Sequence, residues 1–151
     1  MYFDQKLCFF HVDETDQEQI LTMMANKMHE IGVVKNSYLN GILKREKEYP
    51  TGLLINEFGF ALPHTDSIHV NESQICFCSL KQPIIFNNMV DQNQKVPVRF
   101  IFMLAMKQPH EQLENLQNLI ALFQSEKYVN ELLDCRTVEN FIRILALAGV
   151  N

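Results

Sequence analysis

The chain has 151 residues, a hydrophobic content of 47% and a formal net charge of −5 at pH 7. This length and apolar content suffice for a single domain with a buried core, which we expect over residues 1–151. The negative charge and the absence of a Lys/Arg cluster disfavour nucleic acid and anionic membranes as partners. No apolar stretch is long enough to span a bilayer, no secretory signal begins the chain, and none of the four cysteines forms a Cys-x-x-Cys pair, so we expect a cytoplasmic protein with reduced thiols.

The first third of the chain predicts two helices. A capping-box spacing at 15–18 is followed by apolar residues at helical intervals until Gly32, which predicts a helix over 16–30. A second helix, capped by Asn36 or Ser37, should end before the Pro-Thr-Gly sequence that follows it.

Short apolar runs, separated by clusters of Asn, Asp, Gln and Pro, predict the strands of a sheet. These runs span residues 53–55, 58–62, 74–80, 84–86 and 98–106. Pro109 is then well placed in the first turn of a third helix, and two shorter helices are expected over 126–133 and 137–147. The order predicts an α/β (α+β) domain in which helices cover both faces of a mixed sheet of about five strands.

The segment 58–66, Phe-Gly-Phe-Ala-Leu-Pro-His-Thr-Asp, carries the most informative histidine of the chain. Its glycine permits a bend or a close backbone approach, and Pro63 fixes φ and ends the strand, so His64 should project from a stiff strand end. A neutral imidazole nitrogen in such a place can attack phosphorus and later leave. A lone histidine before a turn is more often a structural residue, so this role needs supporting groups.

Two other residues can supply this support. Arg45, near the C-terminal end of the second predicted helix, offers a permanently cationic fork of donors for a phosphoryl group. His110 stands at a predicted helix N-terminus, where free amides and the positive end of the helix dipole suit an anion. The alternatives are that Arg45 is an exposed partner of Glu46 or Glu48 and that His110 is a solvated helix-start residue. The groups act together only if the fold brings them to one place.

His69, five residues after His64, raises a zinc alternative with Asp66 and His110 as further ligands. The sequence lacks the tighter paired spacing typical of zinc ligands, so we expect His69 to be exposed on the loop or strand start after the active segment. A metal-dependent hydrolase therefore ranks last among the functions considered, and neither a metal nor another cofactor is expected.

Taken together, these residues resemble the enzyme IIA components of the sugar phosphotransferase system, fructose/mannitol class. The resemblance rests on four motifs: Arg-Glu at 45–46, Thr-Gly at 51–52, Phe-Ala-Leu-Pro-His at 60–64, and His-x-x-Leu at 110–113. The stretch 45–53, with a longer segment before the active strand than in mannitol-type members, resembles the galactitol branch in particular.

The resemblance implies a mixed sheet sandwiched by helices and a site of His64, His110 and Arg45, of which His64 is phosphorylated. His64 would accept a phosphoryl group from the histidine-containing phosphocarrier protein and pass it to a cysteine of enzyme IIB. The membrane component IIC would move the sugar or polyol, with galactitol favoured. The alternative is a regulatory binding module of the nitrogen-related type, in which phosphorylation of His64 changes contact with a target protein.

Since two partners must reach the same nitrogen in turn, we expect the surface around His64 to be shallow, exposed and partly apolar. Along the strand, the large side chains occupy alternate positions at Phe58, Phe60 and Leu62. We expect side chains on one face of the strand to pack inward, while the rim at 65–67 stays open.

Overall fold

One mixed sheet with helices on both faces organises the chain, and the computed structural model describes residues 2–150 of it. In chain order the elements are β1 (Cys8–Val12), α1 (Gln17–Glu30), α2 (Tyr38–Glu48), β2 (Gly52–Ile55), β3 (Phe58–Ala61), β4 (Gln74–Asn87), β5 (Lys95–Ala105), α3 (Pro109–Phe123), α4 (Glu126–Asp134) and α5 (Val138–Leu147). The spatial order of the strands is β1-β4-β5-β3-β2. The β1/β4 and β3/β5 pairs are parallel, and the β4/β5 and β2/β3 pairs are antiparallel.

The two faces of the sheet carry separate apolar clusters, as the alternation along β4 demonstrates. Cys76 and Cys78 pack in the cluster that includes α1 and α2, whereas Ile75 and Phe77 pack with α3, α4 and α5. Successive side chains of a strand point to opposite faces, so a strand covered on both sides is apolar throughout. The predicted α/β architecture with helices on both faces is confirmed.

Local signals predicted the ends of the α-helices within one or two residues. The cap of α1 is Asp16, whose carboxylate accepts a hydrogen bond from the Gln19 amide at 2.9 Å. The capping box predicted at 15–18 is therefore wrong by one residue. Gly32, with φ of 88°, follows the end of α1 as expected.

The strand predictions need two corrections. The runs 74–80 and 84–86 are one strand, β4, because its pairing with β5 continues past a register shift between Ser79 and Ile84. The polar and proline residues at 81–83 had indicated a turn, but they lie exposed at this irregularity. The fifth strand is the N-terminal β1, which pairs in parallel with β4 along one edge of the sheet.

The C-terminal ends of β3 and β5 lie side by side, and the chain continues from β3 through Leu62 and Pro63 to His64. The Leu104 amide donates to the Pro63 carbonyl at 2.9 Å, and His64 continues the parallel pairing as a bridge to Leu104. The Tyr38 hydroxyl, at the start of α2, donates to the Leu104 carbonyl at 2.8 Å. Sheet and helix are thus tied together at this point. No helix within residues 2–150 is long and apolar enough to cross a membrane.

Candidate functional site

His64 is half-buried directly after β3, where Leu62 and Pro63 are buried and the neighbouring strand holds the backbone. Its ring nitrogen Nδ1 lies 2.7 Å from the Leu62 carbonyl oxygen. A carbonyl only accepts, so Nδ1 carries the hydrogen and Nε2 of the neutral ring keeps its lone pair.

The surroundings of His64 favour this neutral ring. Burial lowers the pKa of His64 below its ordinary value of 6.5, and the positive charge of Arg45 lowers it further. The hydrogen bond to Leu62 and the charge of Asp66 oppose this shift. The imidazole is therefore uncharged near pH 7 and can act as a nucleophile through Nε2.

Arg45 lies in the last turn of α2 and reaches the segment that follows His64. Its Nη1 atom is 3.2 Å from the Asp66 Oδ1 atom, and its guanidinium carbon lies 5.0 Å from the centroid of the Tyr49 ring. The Nε atom is buried without a hydrogen-bond partner among the described residues. Among the described residues, Arg45 pairs with Asp66 and not with Glu46 or Glu48, and its charge lies close enough to His64 to lower the pKa of the imidazole.

His110 lies in the first turn of α3 with an exposed side chain. Pro109 occupies the first helical position, as predicted, and Gln108 and Glu111 form a capping box. The Glu111 carboxylate also accepts from the Tyr2 and Ser73 hydroxyls, each at 2.9 Å. These bonds hold the start of α3 in a defined position against the rest of the domain.

A cleft of about 310 Å³ separates the start of α3 from the segment after His64. It is lined by Thr65, Asp66, Ser67, Ile68, Met106, Gln108, Pro109 and Gln112. His110 belongs to the helix turn that forms one wall of this cleft, and Asp66 belongs to the other wall. The cleft lining includes Asp66, which pairs with Arg45, and Pro109, which precedes His110 in the first turn of α3, whereas His64, Arg45 and His110 are not themselves among the lining residues.

Two expectations about the rim of the site are corrected. Thr65 is buried, with 5% of its surface exposed, whereas Asp66 is exposed. His69, expected to be exposed on the loop or strand start, lies half-buried in a short 3-10 helix (Ser67–His69), with its Nδ1 atom 2.7 Å from the Ser37 hydroxyl oxygen. Ile68 between them is 69% exposed and supplies the apolar part of the rim.

The inward packing expected on the active strand is confirmed. Phe60 and Leu62 are buried in the cluster with α3, α4 and α5, and Phe58 packs against that cluster half-buried. Phe60 stacks on Phe123 with ring centroids 3.8 Å apart, which anchors the strand before it reaches His64.

The sequence assigned Glu46 no role of its own beyond its motif with Arg45 and a possible ion pair with it, and the structure gives Glu46 a defined place. It is buried, with 6% of its surface exposed, and its carboxylate accepts hydrogen bonds from the amide and the hydroxyl of Thr51, both at 2.8 Å. A signal for this burial was present, because Glu46 continues at i+4 spacing the buried stripe of Tyr38 and Ile42 on α2.

Comparison with known proteins agrees with this fold. A galactitol-specific EIIA component of the phosphotransferase system (PTS) from Escherichia coli K12 is 30% identical over 118 residues, 78% of this chain and 78% of that protein. A PTS IIA protein from Streptococcus mutans, PtxA, described as putative, has a TM-score of 0.80 at 19% identity, covering 98% of this chain and 92% of that one. The mannitol IIA of E. coli, solved in complex with phosphorylated mannitol IIB, has a TM-score of 0.74 at 18% identity, covering 93% and 94%.

The fold and the 30% identity to a galactitol-specific EIIA component define this chain as a phosphotransferase component. Residues 1–147 match the family described as phosphoenolpyruvate-dependent sugar phosphotransferase system, EIIA 2, and the chain belongs to it. The protein is thus a phosphoryl carrier of a sugar phosphotransferase system.

Proposed function

We propose that His64 is phosphorylated on Nε2, and that the protein carries the phosphoryl group from the histidine-containing phosphocarrier protein to a cysteine of enzyme IIB. The hydrogen bond between His64 Nδ1 and the Leu62 carbonyl, at 2.7 Å, is the observation that supports this most. It leaves Nε2 as the ring nitrogen with a free lone pair, and it holds the ring from the opposite side.

The transfer consists of two displacements at phosphorus. In the first, Nε2 of His64 attacks the phosphorus on the carrier, the carrier's N–P bond breaks, and its electron pair returns to the carrier's imidazole. In the second, a IIB thiolate attacks, and the Nε2–P bond breaks with its electron pair returning to His64. The hydrogen stays on Nδ1 throughout and keeps donating to the Leu62 carbonyl oxygen, which stabilises the positive charge that phosphorylation places on the ring.

Arg45 and His110 support the charged intermediate in this proposal without being phosphorylated. In a loose transition state the charge spreads over the peripheral phosphoryl oxygens, so catalysis comes mainly from positioning and fixed donors. In support of this, Asp66 holds Arg45 by an ion pair two residues after His64, and the buried Arg45 Nε atom has no hydrogen-bond partner among the described residues. His110 adds a donor at the positive end of α3.

Galactitol is the substrate class that we infer for the transport system, since the galactitol-specific EIIA of E. coli is 30% identical to this chain. Mannitol IIA forms a complex with phosphorylated mannitol IIB, and an equivalent IIB is the proposed acceptor here. The sugar itself would be bound by the membrane component IIC, so this domain contacts only proteins.

Both protein partners are proposed to use the same surface in turn. That surface comprises Asp66, Ser67 and Ile68 on one side of His64 and the α3 start at His110 on the other. Its exposed isoleucine and adjacent charged groups suit a small interface that is formed and released quickly.

The test is phosphorylation with enzyme I, the phosphocarrier protein and radiolabelled phosphoenolpyruvate. Wild-type protein should acquire acid-labile, base-stable label, His64→Ala should acquire none, and the control His29→Ala, an exposed change on α1, should be labelled fully. Full labelling of His64→Ala would refute the site. Adding galactitol-type IIB should then discharge the label, whereas label that no IIB accepts would favour the regulatory alternative.

A further inference from the structure

A buried chain of hydrogen bonds runs from α2 to the ring of His64. Glu46 Oε1 accepts from the Thr51 hydroxyl at 2.8 Å, and Glu46 Oε2 accepts from the Thr51 amide at 2.8 Å. The Leu62 amide donates to the Thr51 hydroxyl oxygen at 3.1 Å. The Leu62 carbonyl then holds His64 Nδ1 at 2.7 Å.

Each hydrogen bond in this series determines which group donates and which accepts in the next. When the Glu46 carboxylate takes the hydroxyl hydrogen of Thr51, the hydroxyl oxygen presents a lone pair to the Leu62 amide. Thr51 is 2% exposed and Leu62 is 0% exposed, so water does not compete for these groups. Buried polar groups that satisfy one another in this way are rigid.

Leu62 needs this support because it lies just beyond the last residue of β3. Its amide is held by Thr51, and the following carbonyl, that of Pro63, accepts from the Leu104 amide at 2.9 Å. The Leu62 carbonyl therefore projects from a backbone that is fixed on both sides. Release of the Thr51 contact would leave it fixed on one side only.

We propose that Glu46 is a positioning residue for phosphoryl transfer, acting through Thr51 to orient the Leu62 carbonyl that keeps His64 in its Nδ1–H form. The inference rests on the proposed function of His64. It adds that the nucleophilic nitrogen is selected by a group on α2 that does not contact the ring.

The test compares Thr51→Val, which keeps the shape but removes the hydroxyl, with Thr51→Ser, which keeps the hydroxyl. NMR of ring-labelled histidine reports the tautomer of His64 in the unphosphorylated protein, and single-turnover transfer from the phosphorylated carrier reports the rate. We expect Thr51→Ser to match wild type in both. In Thr51→Val the Nδ1–H tautomer should lose its dominance, and transfer should slow by roughly 10-fold or more, since small displacements of a reacting group cost rate steeply.

Glu46→Gln provides a second variant should Thr51→Val fail to fold. The amide nitrogen of the introduced glutamine cannot accept a hydrogen bond, so one of the two Thr51 donors loses its acceptor. The amide resonance of Leu62 should therefore shift, and the population of the Nδ1–H tautomer of His64 should change. A wild-type tautomer and rate in folded Thr51→Val or in Glu46→Gln would overturn the positioning role. Failure of the proposed function is distinct, because wild-type protein would then take no label on His64 whatever the tautomer.

Discussion

Arg45 and Asp66 form an ion pair, with 3.2 Å between Nη1 and Oδ1, that joins the last turn of α2 to the residue two positions after His64. The side chains are 36% and 67% exposed, so the pair contributes little to folding stability. Its consequence is positional, because Asp66 holds the Arg45 guanidinium close enough to His64 for its positive charge to lower the pKa of the imidazole.

Removing a charge-stabilising donor should slow transfer without unfolding the protein. Arg45→Ala, and separately His110→Ala, should raise the barrier by roughly 2–4 kcal/mol, by analogy with donors at oxyanion sites. Lys44→Ala removes the adjacent exposed cation on α2 and is the control. Quench-flow transfer and thermal melting check this: both site variants should melt near the wild-type temperature, and a wild-type rate in either would remove that residue from the site.

An apolar residue beside His64 should matter for both partners. Ile68 is 69% exposed at the edge of the cleft, and replacing it with Ser should weaken binding of the phosphocarrier protein and of IIB alike, because both are proposed to cover it. Leu54→Ser, at a 54% exposed site on the edge strand β2, is the matched control. Amide-shift titrations should give overlapping surfaces centred on residues 64–68. Simultaneous binding of the two partners would contradict a shared site.

Gly41 permits the close approach of α2 to the segment after His64. A Cβ at this position would lie 2.8 Å from the Thr65 hydroxyl oxygen and 3.2 Å from the His69 ring. Thr65 is buried and β-branched, so it has no easy rotamer that escapes.

Gly41→Ala should therefore destabilise the protein, by roughly 1–3 kcal/mol, even though the same change in an open helix is stabilising. Urea unfolding measures the effect, and adding Thr65→Ala should recover part of it by removing the nearer atom. A Gly41→Ala protein more stable than wild type would indicate that the helix and the segment are not closely packed.

Glu46 should make stability fall as pH rises. Burial raises its pKa to about 7 from an ordinary value of 4.5, against the lowering effect of the Thr51 hydrogen bonds. As pH rises, the Glu46 carboxyl therefore loses its proton at a lower pH in the unfolded chain than in the native state. Between pH 4.5 and about 7 the native state binds this proton more strongly. The free energy of unfolding should drop by up to roughly 3 kcal/mol across this window.

The difference between wild type and Glu46→Gln isolates this contribution, because the amide does not titrate. Urea unfolding at pH 5 and pH 8 should show wild type losing stability relative to the variant. The lowered pKa of His64 acts in the opposite direction, since its stability contribution is lost as pH falls, so both proteins are compared in a His64→Ala background, where this contribution is absent. Equal pH dependence in the two would contradict a raised Glu46 pKa.

The sequence by itself determined the features that rest on local chemistry. Pro63 ends a strand and Gly32 ends a helix because a fixed φ, a missing amide hydrogen and a permitted positive φ are properties of single residues. Periodicity and capping residues predicted the five α-helices within residues 2–150 and the two-sided burial of the sheet, but not the short 3-10 helix Ser67–His69. His64 was therefore located at a strand end, with Arg45 on the preceding helix, before any contact was known.

Only the tertiary structure decided which distant groups meet. The continuity of β4 through 81–83 depends on its long partner β5, and β1 is a strand because β4 accepts it in parallel. Arg45 pairs with Asp66 instead of a neighbour on its own helix because α2 packs against the segment after His64. Hydrogen bonds and ion pairs between distant residues depend on ångström-scale packing, which periodicity and local propensity do not encode.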